Sequence, residues 1–109
     1  MRRWSVLVPF VLAGCGSRDW QILSGSRAAT PTAGAAVVLY GVEGAGDPPP
    51  SCTKLGTVRA WSHGEKTFPY DPLRSAAAEL GGDSVIELKP DETAPRNTPT
   101  WIGTVARCR

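Results

Sequence analysis

The second part of the chain contains four short stretches with strand-like patterns and one stretch with the apolar spacing of a helix. The four stretches, residues 35–42, 52–61, 84–89 and 100–108, are rich in small apolar and β-branched residues or alternate between apolar and polar side chains. Both patterns are typical of strands, whereas apolar residues spaced three and four apart mark one side of a helix. The order strand, strand, helix, strand, strand predicts a small α+β domain over residues 35–109, with one helix on an antiparallel sheet.

The helix is predicted after residue 70, where the spacing of apolar residues changes. Its apolar stripe consists of Leu73, Ala76, Ala77 and Leu80. Asp71 fits an N-cap because its carboxylate can accept the free N–H groups of the first turn, and Pro72 fits the first helical position, which needs no donor. Gly81 tolerates the left-handed conformation at which helices commonly end. The sequence therefore predicts an alanine-rich helix that approaches the sheet closely.

Alternation also assigns strand residues to faces. In the third strand Ile86 and Leu88 fall on one face, and Val85 and Glu87 on the other. In the second strand Gly56 interrupts the alternation at a place where a β-bulge would fit. We expect the triple proline at residues 48–50 to form an extended loop.

The first fourteen residues have the architecture of a signal peptide. Arg2 and Arg3 precede an apolar run over residues 4–12, and small residues follow. The run is shorter than the roughly 20 apolar residues that a permanent membrane-spanning helix needs. A strand or helix of the core would be the alternative, but the basic pair, the short run and the small residues all agree with export.

The end of this segment, Leu12-Ala13-Gly14-Cys15, resembles the lipobox of bacterial lipoproteins. The resemblance implies cleavage between Gly14 and Cys15 and acylation of Cys15, which would then anchor the chain in a membrane through several acyl chains. Gly16, instead of an aspartate, favours the outer membrane. Residues 15–34 are mixed and polar and are predicted to be a tether; Trp20, Ile22 and Leu23 are exceptions that could pack on the domain or touch the membrane.

The charge balance argues against a nucleic-acid partner. Twelve basic residues less Arg2 and Arg3 leave ten, which equals the ten acidic residues. A neutral mature chain has no electrostatic footprint for nucleic acid and no strong attraction to an anionic bilayer. Membrane attachment would therefore depend on lipid or on a partner.

Two cysteines, Cys52 and Cys108, remain after Cys15 is assigned to lipid. In an exported protein a structural disulfide is the simplest interpretation, and free thiols in a redox or metal site are the alternative. No C-x-x-C spacing is present, and no histidine neighbours either thiol in the sequence. This favours the disulfide.

Three segments, residues 52–58, 73–86 and 103–108, carry a further resemblance. They place a cysteine before Leu-Gly-x-Val, an alanine-rich helix running into Leu-Gly-x-x-x-Val, and a last strand ending in Arg-Cys. Over residues 37–108 the chain resembles the C-terminal domain of the Rcs stress-sensing outer-membrane lipoprotein (RcsF) and, more closely, a related domain of unknown function in small Gram-negative lipoproteins. The resemblance implies an α+β fold and a disulfide from Cys52 to Cys108. A second disulfide and a long basic proline-rich tether, both found in the Rcs sensor, are absent.

Residues able to carry chemistry are few. His63 is the only histidine and is expected to be a solvated loop residue. The acidic residues Asp83, Asp91 and Glu92 could bind a cation if brought together, but a solvated acidic loop is the simpler interpretation. No catalytic residue, metal site or cofactor is therefore predicted.

The aromatic residues Trp61, Phe68 and Tyr70 either pack at the edge of the core or form a patch for a protein partner or peptidoglycan. We therefore expect a non-enzymatic, lipid-anchored protein on the periplasmic face of the outer membrane, acting as an interaction or stress-sensing module. The alternative is a periplasmic lipoprotein that binds a small ligand or a metal, and an accessory role in cell-wall hydrolysis ranks below both.

Overall fold

A computed structural model describes residues 19–42, 45–63 and 68–109 of the chain. The predicted signal peptide, residues 1–14, and the predicted lipidation site, Cys15, lie outside these residues. In chain order the regular elements are β1 (Trp20–Ser24), a 3-10 turn (Gly34–Ala36), β2 (Val38–Leu39), β3 (Thr53–Trp61), α1 (Tyr70–Glu79), β4 (Ser84–Pro90) and β5 (Thr100–Arg107).

The strands form one five-stranded mixed sheet in the order β1-β3-β5-β4-β2. β1, β3, β5 and β4 pair antiparallel with their neighbours, whereas β2 runs parallel to β4. Helix α1 packs on one face of the sheet. The predicted α+β class with a single helix is confirmed for the described residues, but the predicted four-strand order and the purely antiparallel sheet are wrong.

The additional strand, β1, lies inside the range predicted to be a tether. Trp20 pairs with Ala60 and Ile22 with Val58, so both side chains of β1 face the side of the sheet that α1 covers. A five-residue strand at an edge has too short a pattern to stand out in the sequence. It forms because β3 would otherwise present an unpaired edge, which costs its backbone groups their partners.

The first predicted strand, residues 35–42, is reduced to the two residues of β2. The N–H of Val38 donates to Asp83 O at 3.0 Å and that of Tyr40 to Val85 O at 3.0 Å, which fixes β2 beside β4 at the far edge of the sheet. Leu39 is fully buried there. β2 runs parallel to β4, a partner that lies over forty residues further along the chain. A local sequence pattern therefore cannot predict this direction.

Helix α1 begins one residue earlier than its predicted cap. Pro69 occupies the N-cap position without a side-chain hydrogen bond, and its carbonyl accepts the N–H of Leu73 at 3.1 Å. Asp71 lies in the first turn with its side chain 96% exposed, so the predicted capping role of Asp71 is wrong, and Pro72 is the third helical residue. The predicted end is confirmed, because Gly81 has a φ of +77° just past the helix.

The core consists of aliphatic side chains between α1 and the sheet. The predicted helical stripe is buried, and its alanines let the helix approach closely. The most deeply buried large side chains of the described residues are Leu39, Leu73, Val58, Val85 and Val105. All but one of these five lie on strands, so the sheet supplies most of the volume of the core.

Both pairings of β5 contain a β-bulge, and each bulge changes the direction of nearby side chains. The pairing of β3 with β5 shifts between Lys54 and Gly56, as predicted for Gly56. The pairing of β4 with β5 shifts after Ile86, where Glu87 has a φ of 55°. Because of this second bulge, Leu88 packs against the core with Val85 and not beside Ile86, so the alternation predicted for residues 84–89 is wrong beyond Ile86.

A disulfide joins the start of β3 to the end of β5. Cys52 and Cys108 are bonded, with their Cα atoms 4.1 Å apart, which confirms the predicted pair. Next to it the carboxylate of Asp83 accepts the backbone N–H groups of Cys108 at 2.8 Å and of Arg109 at 3.1 Å. Burial raises the pKa of Asp83, but these hydrogen bonds and that from Ser84 outweigh it, so its pKa lies below the usual value. The C-terminal end of the sheet is thus held by a covalent bond and a hydrogen-bonded carboxylate.

Replacing Gly56 with alanine should weaken the attachment of β1. A Cβ at residue 56 would overlap the carbonyl oxygen of Ser24 and lie 3.0 Å from the Cα atom of Gly25. We expect Gly56→Ala to lower the free energy of unfolding by about 1–3 kcal/mol, as other overpacked sites do. Urea denaturation measures this, with Gly34→Ala as the matched control, because the nearest heavy atom there is 3.9 Å away. Equal stability of the two variants would contradict the close approach of β1 and β3.

Removing the disulfide should cost a large part of the stability. The bond closes a loop with a sequence separation of 56, for which the chain-entropy model gives about 4 kcal/mol. The double variant Cys52→Ala, Cys108→Ala should therefore unfold at a lower urea concentration, because its free energy of unfolding is reduced by that amount. Reductant should reproduce the loss in the wild-type protein and leave the double variant unchanged; a wild type insensitive to reductant would refute this account.

Candidate interaction surface

Three aromatic rings meet beside the first turn of α1. The ring of Phe68 lies 4.7 Å from that of Tyr70 and 5.0 Å from that of Trp101, both edge to face. Edge-to-face contacts of this kind hold the rings at fixed angles. The segment after β3 is therefore tied to β5 by ring packing.

The rings of Phe68 and Tyr70 border a groove of about 520 Å³, which the ring of Trp101 does not line. It opens where the start of β1, the end of β3 and the start of α1 meet. Its lining residues are Asp19, Trp20, Ser62, His63, Phe68, Pro69, Tyr70, Asp71, Pro72 and Ser75. The lining thus combines aromatic and prolyl rings with polar side chains.

The polar part of the lining includes an imidazole and two carboxylates. Nε2 of His63 lies 3.0 Å from Oδ1 of Asp19, and the side chain of His63 is 78% exposed. Asp71 lies 3.8 Å from Arg74 across one helical turn and is almost fully exposed. The side chains of His63 and Asp71 are thus both open to solvent.

Large apolar side chains are exposed at two places among the described residues. Leu23 on β1 is 46% exposed and Tyr70 is 39% exposed. Leu23 belongs to the same edge strand as Trp20, and Tyr70 borders the groove. Of these two residues, only Tyr70 therefore adds exposed apolar area to the groove.

Trp61 does not belong to this surface. It follows Ala60, which is buried under α1, so Trp61 lies on the opposite face of the sheet. There the guanidinium of Arg59 lies 5.6 Å from its ring centroid and donates through Nε to Asp91 at 2.7 Å. Of the three aromatic residues considered together from the sequence, the structure brings Phe68 and Tyr70 together and separates Trp61 from them.

The acidic residues considered as a cation site are kept apart. Asp83 precedes β4 and Asp91 follows it, so they lie at opposite ends of the strand. Among residues 19–42, 45–63 and 68–109, no group of three or more potential ligands could hold a metal ion. Cys52 and Cys108 are bonded to each other and present no thiolate.

Sequence reasoning missed the role of Asp19 and Ser62 in the groove. The available signal was the i, i+2 spacing of Trp20 and Ile22, which is compatible with a strand but too short to predict one. Ser62 carried no such signal, because its position depends on the end of β3.

Within the described part of the chain, no helix has both the length and the apolar character to cross a membrane. Comparisons with family models, with curated proteins and with solved structures find no match to this chain.

The stability of the domain should fall in acid partly through Asp91. Hydrogen bonds from the hydroxyl of Thr93, from Arg59 and from the N–H of Thr93 lower the pKa of Asp91 to about 2. A carboxyl with a lowered pKa stabilises the folded state above its unfolded pKa of about 4, and this contribution is lost as the pH falls towards 2. Urea denaturation of Asp91→Asn should therefore show a shallower loss of stability between about pH 5 and pH 2.

The neighbouring exposed residue supplies the control for this measurement. Glu92→Gln removes a carboxylate one position further along the chain, outside the pair with Arg59. We expect it to keep the slope of the wild type. If Asp91→Asn keeps that slope too, Asp91 does not contribute in this way.

Proposed function

We propose that the protein is a non-enzymatic, lipid-anchored cell-envelope protein that acts as an interaction or stress-sensing module on the periplasmic face of the outer membrane. The observation that carries the interaction role is the open aromatic groove, which combines exposed Tyr70 with Trp20 and Phe68. Aromatic side chains with a polar tip are enriched at interfaces because they bury large areas at low entropic cost. The lipobox ending in Cys15 supports the anchor.

The bonded pair Cys52–Cys108 is consistent with this location. Structural disulfides persist in oxidising compartments such as the periplasm and are rare in the cytosol. The balanced charge of the mature chain agrees with attachment through acyl chains instead of through a basic surface.

A second candidate is a periplasmic small-ligand-binding lipoprotein. The volume of the groove, about 520 Å³, lies within the range of small-molecule sites, and Asp19 and His63 supply polar groups in the same lining as the aromatic rings. Calorimetric titration that detects tight binding of a small periplasmic solute, lost in Phe68→Ala and kept in Trp61→Phe, would favour this candidate over the first.

The anchor is tested by replacing Cys15. Wild-type protein expressed in a Gram-negative host should incorporate labelled palmitate and fractionate with membranes. Cys15→Ala should lose both, because no thiol remains at the predicted cleavage site to form the thioether, whereas Cys52→Ala should keep the label. Unchanged fractionation and labelling of Cys15→Ala would contradict lipid anchoring.

The interaction role is tested by photo-crosslinking in intact cells. A benzoyl-phenylalanine in place of Tyr70 should give a covalent product with an envelope component that is absent when the probe replaces Lys89, which is exposed on the opposite face of the sheet. The same products from both positions, or none from Tyr70, would count against the groove as an interaction surface.

A further inference from the structure

The chain between the lipobox cysteine and the folded domain is very short. β1 begins at Trp20, and Asp19 already contributes to the groove, so only residues 16–18 separate Cys15 from it. At no more than about 3.5 Å per residue, the Cα atoms of Cys15 and Asp19 can be at most about 14 Å apart. Whatever path these residues take, the start of the sheet stays within this distance of Cys15.

The distance between the anchor and the domain is therefore set by residues 16–18, and not by the whole of the predicted tether, residues 15–34. Residues 20–24 belong to the sheet, and Ala28 and Thr32 donate backbone hydrogen bonds to the end of α1, at 2.7 Å to Glu79 O and 3.1 Å to Ala78 O. Because these segments are bonded to the domain, they do not increase the distance between Cys15 and the domain. An acylated Cys15 would therefore hold the end of the domain that carries the groove next to the bilayer.

The surface at that end has the chemistry of a membrane interface. Trp20 and Tyr70 combine an apolar ring with a polar tip, and such residues are enriched at the headgroup level. The interfacial layer is about 5–8 Å deep on each side of the hydrocarbon core, which is less than the maximal reach from Cys15.

We propose that the aromatic groove docks on the phospholipid headgroup layer of the same bilayer that holds Cys15, a proposal that rests on the proposed lipid anchor. The ring of Tyr70 and the exposed part of the Trp20 ring, which also packs against the core, enter the interfacial layer. The exposed carboxylate of Asp71, on the same rim, faces the ammonium groups of phosphatidylethanolamine. The face that carries Trp61 is on the other side of the sheet and stays in the aqueous periplasm.

The test measures how deeply two tryptophans approach lipid in the full lipidated protein. The Trp20 reporter carries Trp61→Phe and Trp101→Phe, and the matched Trp61 reporter carries Trp20→Phe and Trp101→Phe. Trp4 is lost with the signal peptide. Each protein is reconstituted in vesicles of phosphatidylethanolamine with a minor fraction of phosphatidylglycerol, containing brominated phospholipid as a quencher. We expect the fluorescence of Trp20 to be quenched several-fold more than that of Trp61.

Equal quenching of the two reporters, or stronger quenching of Trp61, would overturn the docking. Mass spectrometry of the same preparations separates this from failure of the anchor: an unacylated Cys15 overturns the proposed function and the docking with it, whereas acylated protein with equal quenching overturns the docking alone. Wild-type protein labelled with 5-fluorotryptophan and exposed to spin-labelled lipid gives the same comparison without any substitution, should a reporter variant fail to fold.

Discussion

The covalent link between β3 and β5 is the constraint on which the rest of the domain depends. These two strands form the centre of the sheet, and Cys52–Cys108 closes the end of their ladder. Asp83 then ties the chain before β4 to the residues after β5 through two backbone hydrogen bonds. A folded portion this small buries little apolar surface, so one bond that restricts the unfolded chain contributes an amount comparable with the whole net stability.

The small size of the core residues decides where the aromatic side chains lie. Alanines 76 and 77 on α1 let the helix approach the sheet closely. Gly103 on β5 leaves room for side chains of β4, because a Cβ at residue 103 would lie 2.5 Å from Cγ1 of Val85. No aromatic residue is fully buried in the described core. The rings occupy the rim, where Phe68 packs on Tyr70 and Trp101. The groove is thus a consequence of the same tight packing that holds the helix.

The two faces of the sheet consequently differ in chemistry. The covered face ends in the aromatic groove beside Asp19, whereas the open face carries the ion pair of Arg59 with Asp91 under the ring of Trp61. Pairing satisfies these two charges, whose side chains are largely covered by their neighbours. An anchor attached a few residues before β1 would give the domain one side towards lipid and another towards the periplasm.

Local patterns of the sequence were enough to predict the helical stripe, the bulge at Gly56 and three of the strands, because each rests on residues a few positions apart. The prediction that Cys15 is acylated likewise rests on four neighbouring residues, 12–15, and it remains a prediction from the sequence. Tertiary structure alone decided that Trp20–Ser24 pairs with β3, that β2 runs parallel to β4, and that Asp71 does not cap its helix. For the two strand pairings, the partner strand is distant in the chain. For the cap, Pro69 occupies the N-cap position in place of Asp71. The groove belongs to this second group, since its walls come from three elements that only the folded sheet brings together.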